Sequence, residues 1–396
     1  MEPWNPVFRG VLVTALVLLV GVPPTLSFVV FPELERRGLD TARAHRVALS
    51  VITVTLIGAG LAASALAVGN AGASEMEFLA WASSTVAGWA WGTLVVAALV
   101  AGALTVGRHT RPGRVSRRLW LATVFVGAFA MLVAFCWTRY SVAIESPAVA
   151  ILVKVGHMTG GALWVGGLMV LAVLPALVPR DANADADAAI EVERAELVLS
   201  TVRRFSLIAV SGVTLAFATG AVIAAWHVPT LTALVTTPYG ILLSAKVGLV
   251  VIAAGIGGFN RVVLHEGIAY SVGESNDTAA LPGMLTGFGP RIAAGDAVSA
   301  VARSVRLELA ILLGAMGLSV ALTTAVTPSY ELLEPAVAAS SEVVRGVALT
   351  EFETLLELGA ISIAVVGSLA LGYELGKLDV DRETRSNRMS HRTHDD

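Results

Sequence analysis

Apolar residues fill this 396-residue chain in runs of about 20 or more, separated by short polar segments carrying Arg, Gly and Pro. A helix rising 1.5 Å per residue needs roughly 20 residues to cross a hydrocarbon core of about 30 Å. Nine runs of that length predict membrane spans near 8–30, 44–68, 78–106, 118–140, 151–177, 204–227, 238–264, 304–326 and 354–375. The first follows Arg9 as a signal peptide would, but it outlasts a signal h-region and ends in Gly21-Val22-Pro23-Pro24 without a small-x-small cleavage site. It is therefore read as a span. The segment 265–303 mixes Gly, Pro, Asn and Asp and is read as a loop ending in a short amphipathic helix around 292–303. The acidic stretch 181–196, DANADADAAIEVERAE, is read as another loop.

Composition agrees with that pattern. With 56% hydrophobic and 14% charged residues and a mean hydropathy of +0.76, the chain lacks the polar surface to cover a soluble globule. The single cysteine, Cys136, excludes an internal disulfide framework and any multi-cysteine metal site. The formal charge of -3, without a basic stripe interleaved with aromatics, gives no case for a nucleic-acid partner. Charge distribution is more informative than its total. Assigned to alternate sides of the membrane, Lys and Arg divide 22 against 4, with Lys246 left inside a span. Because basic residues are retained in the cytoplasm, the N-terminus is expected outside and the C-terminus inside. Trp4, Trp81, Trp137 and Trp226 then fall near outer ends, where an interfacial aromatic belt would stand.

A weak internal repeat organises these spans. Thr85-Val-Ala-Gly88 opens the third and Thr237-Pro-Tyr239-Gly240 the seventh; Phe31-Pro32 closes the first and Leu174-Pro175 the fifth. Arg43/Arg46 and Arg203/Arg204 precede the second and sixth. Four spans per unit is an even number, so both units keep one orientation, related by an axis along the membrane normal. The expected fold is all-α: nine transmembrane helices, a four-plus-four parallel repeat and one added helix. The expected organisation is a four-helix half over 1–145, a second over 146–330, the extra helix in 331–377 and a polar cytoplasmic tail over 378–396.

Ionisable residues at membrane depth are costly and mark candidate sites. His157 is one, within a small-residue stretch containing Gly161, Trp164, Gly166 and Gly167. Residues 157, 161, 164 and 168 share a helical face, while Met158 points about 100° away. A neutral imidazole suits copper, and soft sulfur suits Cu(I). Met131, and His227 beside Trp226, are placed at compatible depths as the other candidate metal ligands, with Tyr239 and Gly240 lining the same outer third. The alternative for His157 is a hydrogen bond that ties its helix to a neighbour. Lys246 is expected to pair with Glu357 or Glu353 and so dock the extra helix. Glu308 is expected in an ion-pair cluster at the inner face with Arg261, Arg303 and Arg306, or else as an exit-side carboxylate for a departing cation.

Taken in order, His157 with Ala162-Leu-Trp164-Val-Gly166-Gly167-Leu, Arg203-Arg204-Phe-Ser, Thr237-Pro-Tyr239-Gly240-Ile-Leu-Leu-Ser-Ala-Lys246, Phe259-Asn260-Arg261, Arg303-Ser-Val-Arg306-Leu-Glu308 and Thr327-Pro328 resemble the copper resistance protein D family across roughly 150–330. The resemblance implies a multi-pass protein of the plasma membrane that carries copper into the cell or confers tolerance to it. It also implies copper as cargo and an extracytoplasmic copper-binding protein as partner. Members often carry a His near the end of the fourth span, where this chain has Trp137-Thr-Arg-Tyr-Ser141. No enzyme motif is visible, and no catalytic residue is assigned. Two other readings stay open: a haem-binding redox subunit with paired histidines, and a non-catalytic subunit of a larger complex.

Overall fold

The computed structural model describes residues 5–73, 77–110, 116–137, 147–177, 187–228, 230–260 and 294–322. Within them every long element is an α-helix. They are α1 (Asn5–Thr25), α2 (Phe31–Arg36), α3 (Ala42–Ala73), α4 (Phe78–Ser84), α5 (Val86–Thr110), α6 (Arg117–Trp137), α7 (Pro147–Leu177), α8 (Asp187–His227), α9 (Ala233–Thr236), α10 (Pro238–Phe259) and α11 (Ala294–Leu322). Eight helical segments among the described residues are long and apolar enough to cross a membrane. They coincide with the first eight predicted runs. The ninth, 354–375, and with it Glu353 and Glu357, lies outside the described residues.

Three local expectations are corrected. The run at 78–106 is broken at Thr85 rather than continuous. The acidic stretch enters α8 from Asp187 onward, because acidic side chains near a helix N-terminus are favoured by the backbone dipole and alanine sustains the helix. The amphipathic segment around 292–303 is continuous with its span, forming the start of α11. At 41 residues, α8 reaches about 60 Å and so extends well beyond a hydrocarbon core. In α1, Pro23 and Pro24 each remove a backbone donor, and the chain passes through one π-helical turn, Leu26–Val30, before continuing as α2.

Thr85 and Thr237 form matching elbows. Both are extended, at φ -107°, ψ 150° and φ -105°, ψ 149°. Each hydroxyl accepts the N–H three residues on, Gly88 at 2.9 Å and Gly240 at 3.0 Å, in the manner of a helix N-cap. Each also donates to the carbonyl four residues back, Trp81 at 2.8 Å and Ala233 at 2.7 Å. A Cβ at Gly88 or Gly240 would run into the backbone of α4 or α9, so glycine is required at both places. Trp81, expected at the lipid interface, is instead buried with Phe78 and Trp91, ring centroids 5.8 and 6.4 Å away.

The core runs along α7, which packs mainly against α8 and α1 and also meets α6 and α11. Close approach is made possible by glycines. A Cβ at Gly160 would lie 2.5 Å from the Gly212 carbonyl oxygen, and one at Gly166 2.7 Å from the Gly21 Cα. These are the small-residue contacts that bring membrane helices together where no hydrophobic force separates helix from lipid.

Candidate functional site

The neighbours of α7 sort its residues by angle. Gly156, Gly160 and Gly167 face α8, the last against the ring of Phe205, and Gly166 faces α1. Met158 turns toward α6, where its sulfur stands 3.7 Å from Cys136 Sγ. His157, Gly161 and Trp164 stand beside the glycines that face α8. Among the described residues, no atom outside the helix lies within 4 Å of where a Gly161 Cβ would be, on the face between the imidazole and the indole.

His157 Nδ1 lies 2.8 Å from the carbonyl oxygen of Ala216 on α8. A carbonyl can only accept, so Nδ1 carries the hydrogen and the neutral ring keeps its lone pair on Nε2. Among the described residues Nε2 makes no hydrogen bond. A backbone acceptor holding one ring nitrogen while the other stays available is the usual support for a ligating histidine. Gly220 lets the ring lie against α8, since a Cβ there would be 3.0 Å from Cε1. Lys246, half-buried on α10, is near enough to act on the imidazole electrostatically.

The other predicted ligands do not join it. Seven residues separate His227 from Gly220, which places it about 10 Å farther along α8. There Nδ1 donates to Ile223 O at 2.7 Å, and the ring stacks on Tyr239 at a centroid distance of 6.0 Å, so both belong to the cap of the bundle. His157 and His227 therefore do not stand opposite each other as a haem-ligating pair would. Met131 is fully buried in α6, the helix that Met158 faces and His157 does not. No group of three His, Cys, Asp or Glu able to hold a metal is found among the described residues.

Two turns from His157, the Trp164 indole Nε1 donates to Glu308 Oε1 at 2.8 Å. Trp164 is 4% and Glu308 3% exposed, so both side chains of the pair are buried. One turn back along α11, Ser304 Oγ donates to Asn260 Oδ1 at 2.5 Å. The expected inner cluster is not formed as drawn: Arg303 and Arg306 project to the exposed side of α11, and neither pairs with Glu308. Arg261 lies outside the described residues. The i, i+3 and i+5 spacing on a helix separates these side chains by angle, which a list of neighbouring charges does not convey.

The real ionic layer involves residues overlooked in the sequence. Glu33, 5% exposed, accepts from Arg37 Nε at 3.2 Å and lies 3.2 Å from Arg204 Nε and 4.0 Å from Arg36 Nη1. Arg37 also reaches Glu196 at 2.9 Å. Burial opposes the Arg37 charge, but its hydrogen bonds to Glu196 and Glu33 outweigh that and raise its pKa above the ordinary value. Arg117 bonds Glu35 while its guanidinium sits 4.1 Å over the ring of Phe31. The layer ties α2 to α8 and α6. The clue was present: Glu33 stands three and four residues before Arg36 and Arg37, the spacing of helical ion pairs.

Eight apolar helices, glycine-mediated packing and buried polar side chains along one helix face define a multi-pass membrane protein of the α-helical bundle class. Residues 199–322, running from within α8 through α11, match the family model described as Copper resistance protein D. No curated protein matches, and no solved structure does.

Proposed function

We propose that this protein moves copper across the plasma membrane, with His157 as the ligand that receives the ion in the outer third of the bundle. One observation carries the reading: in a chain whose residues 199–322 match the Copper resistance protein D model, the imidazole is held through Nδ1 by Ala216 while Nε2 makes no hydrogen bond among the described residues. Nitrogen and soft sulfur both suit copper, so the co-ligands to seek come from the cargo's own hydration, from a soluble donor protein outside the membrane, or from sequence beyond the described residues. The basic ends of the helices are taken as cytoplasmic, with the N-terminus outside. The halves 1–145 and 146–330 are taken as a parallel duplication, supported by the paired elbows at Thr85 and Thr237. A further helix in 331–377, docked by Lys246 to Glu353 or Glu357, completes the proposed organisation.

The test is uptake of labelled copper by vesicles of known orientation. Wild-type protein is expected to accumulate copper and His157→Ala to lose most of that accumulation. Equal accumulation by both would remove His157 from the path. No uptake by correctly folded wild-type protein would favour a non-catalytic subunit of a larger complex.

A further inference from the structure

The duplication exposes a difference between the halves. Ser116-Arg-Arg118-Leu-Trp120-Leu121 at the start of α6 matches Ser304-Val-Arg306-Leu-Glu308-Leu309 in α11, which places Glu308 at the position of Trp120. The spacing between Thr85 and Thr237 likewise carries Thr105 in α5 onto Gly257 in α10. These equivalent residues meet in both halves. In the first, Trp120 Nε1 donates to Thr105 Oγ1 at 3.0 Å, with the two side chains 0% and 2% exposed. In the second, a Cβ at Gly257 would lie 3.0 Å from Glu308 Oε1 and 3.5 Å from Oε2. One half thus holds a closed pair of neutral groups. The other holds a carboxyl, in space that the absent Thr side chain leaves, with an indole supplied by Trp164 instead.

A carboxylate inside a membrane helix is expensive unless it is paired or protonated. Around Glu308, α7 presents Trp164, α10 presents Gly257 and Asn260, and its own helix presents Ser304. Arg303 and Arg306 face outward, Arg204 on α8 is held by Glu33, and Lys246 stands 11 residues up α10 from Gly257, about 16 Å along the axis. No cation among the described residues pairs with it. Oε1 is engaged by the Trp164 N–H in either protonation state, so a proton can add to Oε2 and leave again without breaking that bond.

We propose that Glu308 is a proton-exchange site, taking one proton onto Oε2 and releasing it to the opposite aqueous phase as copper crosses. The proposal rests on the transport reading only for what the proton is coupled to. The step is a simple transfer: the carboxylate becomes the neutral acid on loading and is regenerated on release, with no change of oxidation state. Gly257 leaves room for the carboxyl group as a whole, since a Cβ there would press on Oε1 at 3.0 Å, and Trp164 keeps the carboxyl facing α7 two turns below His157.

The experiment uses the full chain in liposomes, comparing wild type, Glu308→Gln and Trp164→Phe. An infrared difference spectrum between acid and alkaline pH is expected to contain a carboxylic C=O band that Glu308→Gln lacks and Trp164→Phe retains at a shifted frequency. Labelled-copper uptake is expected to respond to an imposed pH gradient in wild type and to lose that response in Glu308→Gln. If neither protein transports copper but the band behaves as stated, the proton site stands and the copper reading falls. A full-strength band in Glu308→Gln, an unshifted band in Trp164→Phe, or an undiminished gradient response in Glu308→Gln would each overturn the proposal.

Discussion

Adjacent glycines in α7 should respond oppositely to the same substitution. At Gly160 a Cβ would sit 2.5 Å from the Gly212 carbonyl oxygen and 2.6 Å from the Ala216 nitrogen, both backbone atoms that no rotamer change can move. Restoring an ordinary 3.4 Å contact requires α7 and α8 to part by about 0.9 Å, a gap obtained as the difference between those two distances. Overpacking of this kind costs about 1–3 kcal/mol. The same displacement would stretch the 2.8 Å bond from His157 Nδ1 to Ala216 O beyond the range of a hydrogen bond. At Gly161 nothing lies within 4 Å, and alanine in a helix is favoured over glycine by about 0.5–1 kcal/mol. That propensity gain applies to both helical positions and cancels, so Gly160→Ala should be less stable than Gly161→Ala by the overpacking cost alone, about 1–3 kcal/mol. Reversible unfolding in mixed micelles measures that difference, and nitrogen NMR of the labelled His157 ring reads whether Nδ1 still holds its proton as a donor. Equal stability of the two variants, with an unchanged ring spectrum in Gly160→Ala, would refute the packing argument.

Three further outcomes follow from other contacts. Glu33→Ala leaves Arg37 and Arg204 without their buried carboxylate and should cost about 3 kcal/mol in the same unfolding assay, whereas Arg36→Ala, on a 66% exposed side chain, should cost under about 1 kcal/mol. Gly240→Ala drives a methyl into the Ala233 carbonyl and should speed amide hydrogen exchange through α9 and the first turn of α10, while Gly248→Ala, facing open space, should not. Cys136, 2% exposed beneath Met158, should react with a maleimide far more slowly in the folded protein than after unfolding, and Met158→Ala should hasten the folded-state reaction; labelling rates followed by mass spectrometry decide both.

Run length was enough to locate eight apolar helices, with some starts off by eight or nine residues, because membrane thickness imposes a length that composition must satisfy. It could not reveal the break at Thr85, since the flanking residues are as apolar as the helix itself and only the hydroxyl caps the next turn. The same limit applies to the acidic start of α8. A polar stretch reads as a loop by composition, yet alanine content and dipole let it continue as helix outside the membrane.

For the site, helical periodicity correctly separates His157 from Met158 and groups it with Gly161 and Trp164, because angle about one axis is set by position alone. Which neighbour stands at each angle is a property of packing. Met158 finds Cys136, His157 finds a carbonyl and Trp164 finds Glu308 on a helix 144 residues away, and none of these pairings follows from periodicity. Depth is subject to the same difficulty. Counting from predicted span ends sets His227 level with His157, but α8 meets α7 at Gly212, Ala216 and Gly220, and that contact places His227 about two turns beyond the imidazole. A ligand set inferred from span ends therefore inherits the uncertainty of each end. A set inferred from glycine contacts does not, because a missing Cβ fixes the local register between two helices to within a single residue.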